Sequence, residues 1–309
     1  MSVYSEKKLD FLVIGAQKSG TTTLFKLLEQ NSNIYMPSGK EVPFILDDEL
    51  FSKGLGFNLD LFFSKGNPST RWGTVTPHYL SDPRSANRIY EMLPSIKLIV
   101  ILRDPIERAL SHYKMSVRRG LETRSFVDAI SVAMESSEVN KARSLNIGPD
   151  AESQTYLVWG EYGRLLRKFL DLFPREQLLV LFSKDLELYP EQVLSKAFNF
   201  LGVENVKIKD PEKRYNAGGG NKLLSYIRAI RYLPFARLIW RKIHPNTRSA
   251  LFLWLNELGG RKEAGQGREL DNLELVEKMR NYYHEDAELL SKLIGEELPW
   301  LMSVCEEKK

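Results

Sequence analysis

Residues 15 to 23 read Gly-Ala-Gln-Lys-Ser-Gly-Thr-Thr-Thr. A glycine-bracketed turn that opens a helix aims successive backbone N–H groups at one point. The helix dipole adds partial positive charge there, so the point suits a phosphate. The nucleoside-triphosphatase loop would read G-x-x-x-x-G-K-[ST]. Gly15 and Gly20 keep that spacing, but Thr21 stands where the lysine is required, and Lys18 precedes the second glycine. The phosphate cup is therefore expected to remain while the apparatus for a metal and a γ-phosphate is altered. A second anchor begins at Arg103-Asp104-Pro105 and reaches Ser111. An arginine at the carboxyl end of a strand and a hydroxyl two turns into the next helix can clamp another phosphate through charge-assisted hydrogen bonds. A phosphate hydrolase of this type usually has an acid near that strand end to hold magnesium. Here the first residue is a cation, so two anion sites without a metal site are expected.

Those residues need elements to hold them. Asp10 to Gly15 is a short apolar run ending in glycine, read as a buried parallel strand. Thr22 to Gln30 has helical character, with Leu24, Leu27 and Leu28 on one face. Lys97 to Leu102 is a second buried strand, and a helix starts near Pro105. Leu178 to Phe182 is a third strand. Its following helix has Pro190 near the start, Val193, Ala197 and Leu201 at four-residue spacing, and Gly202 as its stop. The last long helix is expected over Leu273 to Ile294, capped by Asp271 with Glu274 reaching back. Its buried stripe would be Val276, Met279, Tyr283, Ala287, Leu290 and Ile294. Alternating strands and helices predict an α/β fold with a parallel sheet. Residues 223–258, rich in aromatics and arginines between glycine-rich stretches, read as a helical insertion in one domain spanning 1–309.

The chain has 309 residues, with Lys+Arg 44 against Asp+Glu 40, a net charge of +4. It is 43% hydrophobic, which excludes a disordered or fibrous chain. One cysteine, Cys305, excludes an intramolecular disulfide framework and a Cys-rich zinc site. So small a net charge does not indicate a nucleic-acid binder. Neither an export signal at the start nor a run of about 20 apolar residues is visible. A soluble, cytoplasmic protein is the expectation.

Together the motifs resemble a known family. GAQKSGTTTL and ILRDPIERALSHY are similar to the 5′- and 3′-phosphate motifs of sulfotransferases that use 3′-phosphoadenylyl sulfate (PAPS). Lys40-Glu41-Val42-Pro43-Phe44 resembles the K-E-x-x-F-F segment of the heparan-sulfate-type and bacterial branch, and Val75-Thr76-Pro77-His78-Tyr79 its K-[ST]-P-x-Y segment. The resemblance runs from about Leu9 to Trp300 but leaves out residues 223–258. It implies a P-loop-like three-layer sandwich, a central parallel sheet flanked by helices. It also implies PAPS as co-substrate, PAP as product and no required metal.

Residue by residue, the resemblance puts Lys18, Ser19, Gly20, Thr21, Thr22 and Thr23 on the 5′-phosphate, and Arg103 and Ser111 on the 3′-phosphate. Sulfuryl transfer builds negative charge on the bridging oxygen as the S–O bond breaks. A cation there stabilises the transition state above the ground state, and Lys18 is placed for this. The acceptor must lose a proton. Glu41 matches the base of the heparan-sulfate branch and is preferred; His78 is the rival. Arg261, Lys262 and Arg268 fall where related enzymes close a basic loop over the 3′-phosphate, without matching it residue by residue. Val75 replaces the family's usual lysine, which weighs against a polyanionic glycan acceptor. A small-molecule acceptor such as a secondary metabolite is expected. A glycan sulfotransferase is the alternative, and a P-loop kinase or NTPase and a non-catalytic nucleotide-binding protein are the remoter ones. Residues 223–258 could shape or cover the acceptor site, form a homodimer surface, or lie on a membrane.

Overall fold

The computed structural model describes residues 8–148, 151–213, 215 and 268–301. Five strands form one parallel sheet: β1 (Phe11–Gly15), β2 (Ile34–Tyr35), β3 (Arg71–Val75), β4 (Lys97–Leu102) and β5 (Leu178–Phe182). Their order is β2-β3-β1-β4-β5. The three apolar runs are strands as expected. β2 and β3 are additions; β2 is only two residues long, and RWGTV in β3 has no continuous apolar run to announce it.

Side chains alternate across each strand, and the two faces found two cores. Leu12, Ile14, Leu98, Val100, Val180 and Phe182 face one way. They meet helices α4 (Ser85–Met92), α8 (Tyr162–Leu170) and α11 (Leu273–Ile294) through Ile89, Leu166, Phe169 and Leu290. Phe11, Val13, Val75, Ile99, Ile101 and Leu181 face the other way. There they meet α1 (Thr21–Leu28), α9 (Ser183–Leu188) and α10 (Pro190–Leu201). A parallel sheet covered on both faces is the three-layer arrangement that its apolar strands demand. The remaining helices are α2 (Asp48–Ser52), α3 (Gly54–Phe63), α5 (Pro105–Arg118), α6 (Phe126–Ala133) and α7 (Ser136–Ser144). The first two connect β2 to β3, α5 and α6 build a satellite cluster with Tyr156, Met279 and Tyr283, and α7 builds a smaller one with Val158 and Trp159.

Two details of the last helix differ from expectation. Asn272 caps it, accepting from the Leu275 N–H at 3.0 Å, in place of Asp271. The buried stripe begins at Leu275, one turn before Met279, with Val276 only half-buried at its flank. α1 spans Thr21–Leu28, one residue earlier at its start and two shorter at its end than read from sequence. Residues 223–258 lie outside the described residues. Among those described, no helix is long and apolar enough to cross a membrane.

The topology places the site. After β3 the chain crosses β1 to form β4 on its other side. The connections leaving the carboxyl ends of β1 and β4 therefore diverge, and a crevice opens between them.

Candidate active site

A cleft of about 760 Å³ opens in that crevice, floored by the strand ends Leu102 and Phe182. Its first wall is the turn from β1 to α1. The Ala16 N–H donates to Ile101 O at 2.8 Å and keeps the turn on β4. Gly20 then takes φ 93°, a backbone that side-chain-bearing residues disfavour. A Cβ there would only touch Ile101 and Leu186 at 3.8 and 4.0 Å, so conformation and not space is what asks for glycine. Gly20 also offers no capping side chain. The first-turn amides of Thr21, Thr22 and Thr23 are thus left for a ligand, at the positive end of the helix.

Lys18 lies at the foot of this turn and lines the cleft. Burial, together with the charges of Arg118, Arg119 and Arg103, pulls its ammonium down to about 8, with Glu152 opposing. Lys18 therefore shares a field with the α5 end of the cleft. Its own backbone is left-handed, φ 70°.

The second wall is the turn from β4 to α5. Asp104 caps α5, accepting from the Ile106 and Glu107 N–H groups at 2.8 and 3.1 Å. That cap fixes the turn that carries Arg103. Arg103 is held by Glu107 one turn on, Nε and Nη2 each 2.8 Å from Oε2. Such an exposed i,i+4 pair is worth about 0.3–0.5 kcal/mol. A hydrogen bond to a charged group is worth about 1.5–3 kcal/mol, so Glu107 is a partner that an incoming anion of higher charge could replace. Ser111, Met115 and Arg119 follow at four-residue intervals on one face of α5 and its C-cap, all lining the cleft. Arg119 Nη1 donates to Glu152 Oε1 at 2.8 Å. Burial would raise the Glu152 carboxyl, but His112 and Arg119 overcome it and hold it down at about 2.

The end of the cleft facing β3 carries Glu41 and His78. Glu41 is exposed, 3.4 Å from Lys40 Nζ. His78 Nε2 is 3.1 Å from the end of the Gln17 side-chain amide, and the orientation of that amide sets which ring nitrogen carries the proton. Its ring meets Trp159 edge-on at 5.7 Å, and Trp159 stacks on His112 at 5.0 Å. His112 is fully buried, and desolvation lowers its pKa to about 4, so it stays neutral. At the opposite rim Trp300 lines the cleft and packs against Phe182.

One cleft thus brings together Lys18 to Thr23, Glu41, His78, Arg103 and Ser111 from four separate segments. Arg261 and Lys262 lie outside the described residues. Arg268 begins the single turn Arg268–Leu270 before α11, described for its backbone alone. Among the described residues no group of three or more His, Cys, Asp or Glu could hold a metal. Lys40, Gln17, Arg119 and Glu152 were not singled out from sequence. Arg119 did carry a signal, standing eight residues from Ser111 on the same helical face. Glu152 carried none, because it arrives from a turn far along the chain.

The profile of the sulfotransferase domain matches residues 8–215. This chain belongs to the sulfotransferase domain family. The bifunctional heparan sulfate N-deacetylase/N-sulfotransferase 3 of Homo sapiens is 31% identical over 205 residues, 62% of this chain and 22% of its own length. The bifunctional enzyme of Drosophila melanogaster is 27% identical over 287 residues, 81% of this chain and 26% of its own. The sulfotransferase domain here thus spans about a quarter of the length of these curated relatives. In fold it matches the crystal structure of a sulfotransferase from Alicyclobacillus acidocaldarius with a TM-score of 0.63 at 22% identity, over 94% of this chain and 97% of that one. The parallel sheet with helices on both faces is the fold that this structure shares.

Proposed function

We propose that this chain is a PAPS-dependent sulfotransferase that moves the sulfuryl group to a hydroxyl or amine of a small molecule and releases PAP. The observation that carries the reading is the single cleft with two cationic, donor-rich ends. Lys18 to Thr23 sit at one end and Arg103, Ser111 and Arg119 at the other. An adenosine with a 5′-phosphosulfate and a 3′-phosphate has two anionic groups to match. In the reaction the acceptor atom bonds to sulfur as the S–O bond to the 5′-phosphate breaks. The electron pair departs on the bridging oxygen, and the acceptor proton goes to a base. Lys18 lies against the departing charge, where a cation helps the transition state most. Glu41 is the base in this reading. Its carboxylate is exposed at the cleft, whereas His78 Nε2 is engaged by the Gln17 side-chain amide. His78 then lines the acceptor pocket. The domain works as a single unit, and a cytoplasmic setting belongs to the same reading.

The heparan sulfate relatives favour a second acceptor class, a glycan. Val75 speaks for the small molecule. It is fully buried under α1, so the cleft has no cation at the position where the resembled branch carries lysine.

Mass spectrometry of a metabolite extract incubated with the protein and PAPS tests the reading. Products heavier by one SO₃ are expected, and incubation with heparan-type oligosaccharides separates the two acceptor classes. Calorimetry should show PAP binding that survives a chelator. Binding that appears only with magnesium would point to a kinase or NTPase. PAP binding with no sulfated product from any acceptor would favour the non-catalytic protein. For the base, Glu41→Gln should abolish turnover with PAP affinity unchanged. His78→Ala doing so in its place would reverse the assignment.

A further inference from the structure

Lys40 has a geometry that the roles above do not use. Among the described residues, those other than glycine with left-handed backbone are Lys18, Lys40 and Asp210, at φ 70°, 58° and 47°. A lysine keeps such a backbone only where its surroundings over-determine it. For Lys40 they do. Its N–H donates to Pro37 O at 3.0 Å, and its carbonyl accepts from both Thr74 Oγ1 at 2.8 Å and the Val75 N–H at 3.2 Å. The turn is stitched to the end of β3, and the side chain is thrown back across the cleft mouth to α1.

There the ammonium lies 3.1 Å from Thr22 Oγ1, 3.4 Å from Thr21 Oγ1 and 3.4 Å from Glu41 Oε1. A threonine hydroxyl that accepts from an ammonium keeps its own proton to donate. Lys40 therefore turns the hydroxyl protons of Thr21 and Thr22 toward an anion in the cup. Lys18 shares its field with the arginines of α5 and the α5 C-cap. Both lysines line the cleft, and the Lys40 ammonium stands beside Glu41. Burial lowers the Lys40 pKa, with Glu41 opposing, as for a cation held in a partly closed cup.

We propose that Lys40 is a catalytic residue whose ammonium meets the sulfuryl oxygens of PAPS, supplying from the turn the charge that Val75 does not supply from the strand. The inference rests on the PAPS reading above. Lys40 moves no proton. It holds charge on the sulfuryl group while the new bond to sulfur forms, the bond to the 5′-phosphate breaks and Glu41 takes the acceptor proton.

The test compares PAPS, which carries the sulfuryl group, with PAP, which lacks it, and needs no acceptor. In Lys40→Gln the ratio of PAPS to PAP affinity, read by calorimetry, should fall about tenfold while PAP affinity stays within about threefold. Lys40→Arg should restore most of the ratio. Lys40→Gly, which relaxes the left-handed backbone, should lose the ratio as Lys40→Gln does and still melt no lower than wild type. Equal losses for both nucleotides would make Lys40 a general phosphate neutraliser and overturn the proposal. So would an unchanged ratio, with or without a lower melting temperature. Wild-type protein that binds neither nucleotide would overturn the PAPS reading itself, an outcome distinct from failure of the Lys40 variants alone.

Discussion

The two ends of the cleft hold anions by opposite strategies. The α1 end is built on donors fixed by backbone geometry, the amides of Thr21 to Thr23 and the hydroxyls of Thr21 and Thr22 behind Gly20, with the ammonium groups of Lys18 and Lys40 beside them. The α5 end is built from arginine side chains that already have carboxylate partners, Arg103 with Glu107 and Arg119 with Glu152. A ligand entering the first finds donors waiting. Entering the second, it must take a cation from a carboxylate. Rigid donors suit the group whose charge changes during reaction, because no reorganisation is required as it changes. Exchangeable cations suit a group that only needs to be held and released.

Four experiments break or sharpen this contrast. The largest effect belongs to Lys18, in the turn before α1. Lys18→Ala should lower turnover by about 10²–10³. Activity near wild type, measured on the sulfated product, would remove it from the mechanism. Next is Arg103→Ala, which should weaken PAP by about 10–100-fold and adenosine 5′-phosphosulfate, lacking the 3′-phosphate, hardly at all. Equal losses would erase the distinction between the two ends.

The pH dependence comes third. Lys18 titrates near 8, below its ordinary value, so its charge is mostly present at pH 7 and mostly absent at pH 9. PAP should bind about tenfold more weakly at pH 9, with proton uptake, and Lys18→Gln should flatten that profile. The stability of the unliganded protein should move the other way. Between 8 and the ordinary lysine value the unfolded chain holds more of this proton, so the group's contribution to stability rises with pH. The smallest effect is Glu107→Gln, which frees Arg103 and should tighten PAP about twofold. A loss in that variant would show that Glu107 orients the arginine and does not compete for the phosphate.

The contrast also marks what could be seen in the chain before it was folded. The α1 end is local. Its glycines, lysine and threonines are consecutive, so the cup and the strand and helix around it are legible in nine residues. Arg103 and Ser111 share one strand–helix unit and are nearly as plain. What escaped reading is what depends on several segments meeting. Glu152, His112 and Trp159 converge from α5 and a loop some 40 positions later, and no periodicity links them. Lys40 was visible beside Glu41, but its direction depends on Thr74 and Val75 in β3, a strand whose alternation is interrupted by Gly73. The shift from Asp271 to Asn272 is of another kind. Two capping residues stand side by side, and which one caps is decided by how α11 seats Leu275 and Met279 in the core.

Trp300 gives the protein a fluorophore of its own. The indole stands at the rim of the cleft against Phe182. Trp159, deeper, stacks on a histidine that stays uncharged through the neutral pH range. With five tryptophans in the chain, Trp300→Phe isolates the rim signal by difference. Nucleotide arrival can then be followed in real time from emission alone, without a label and before any acceptor has been identified.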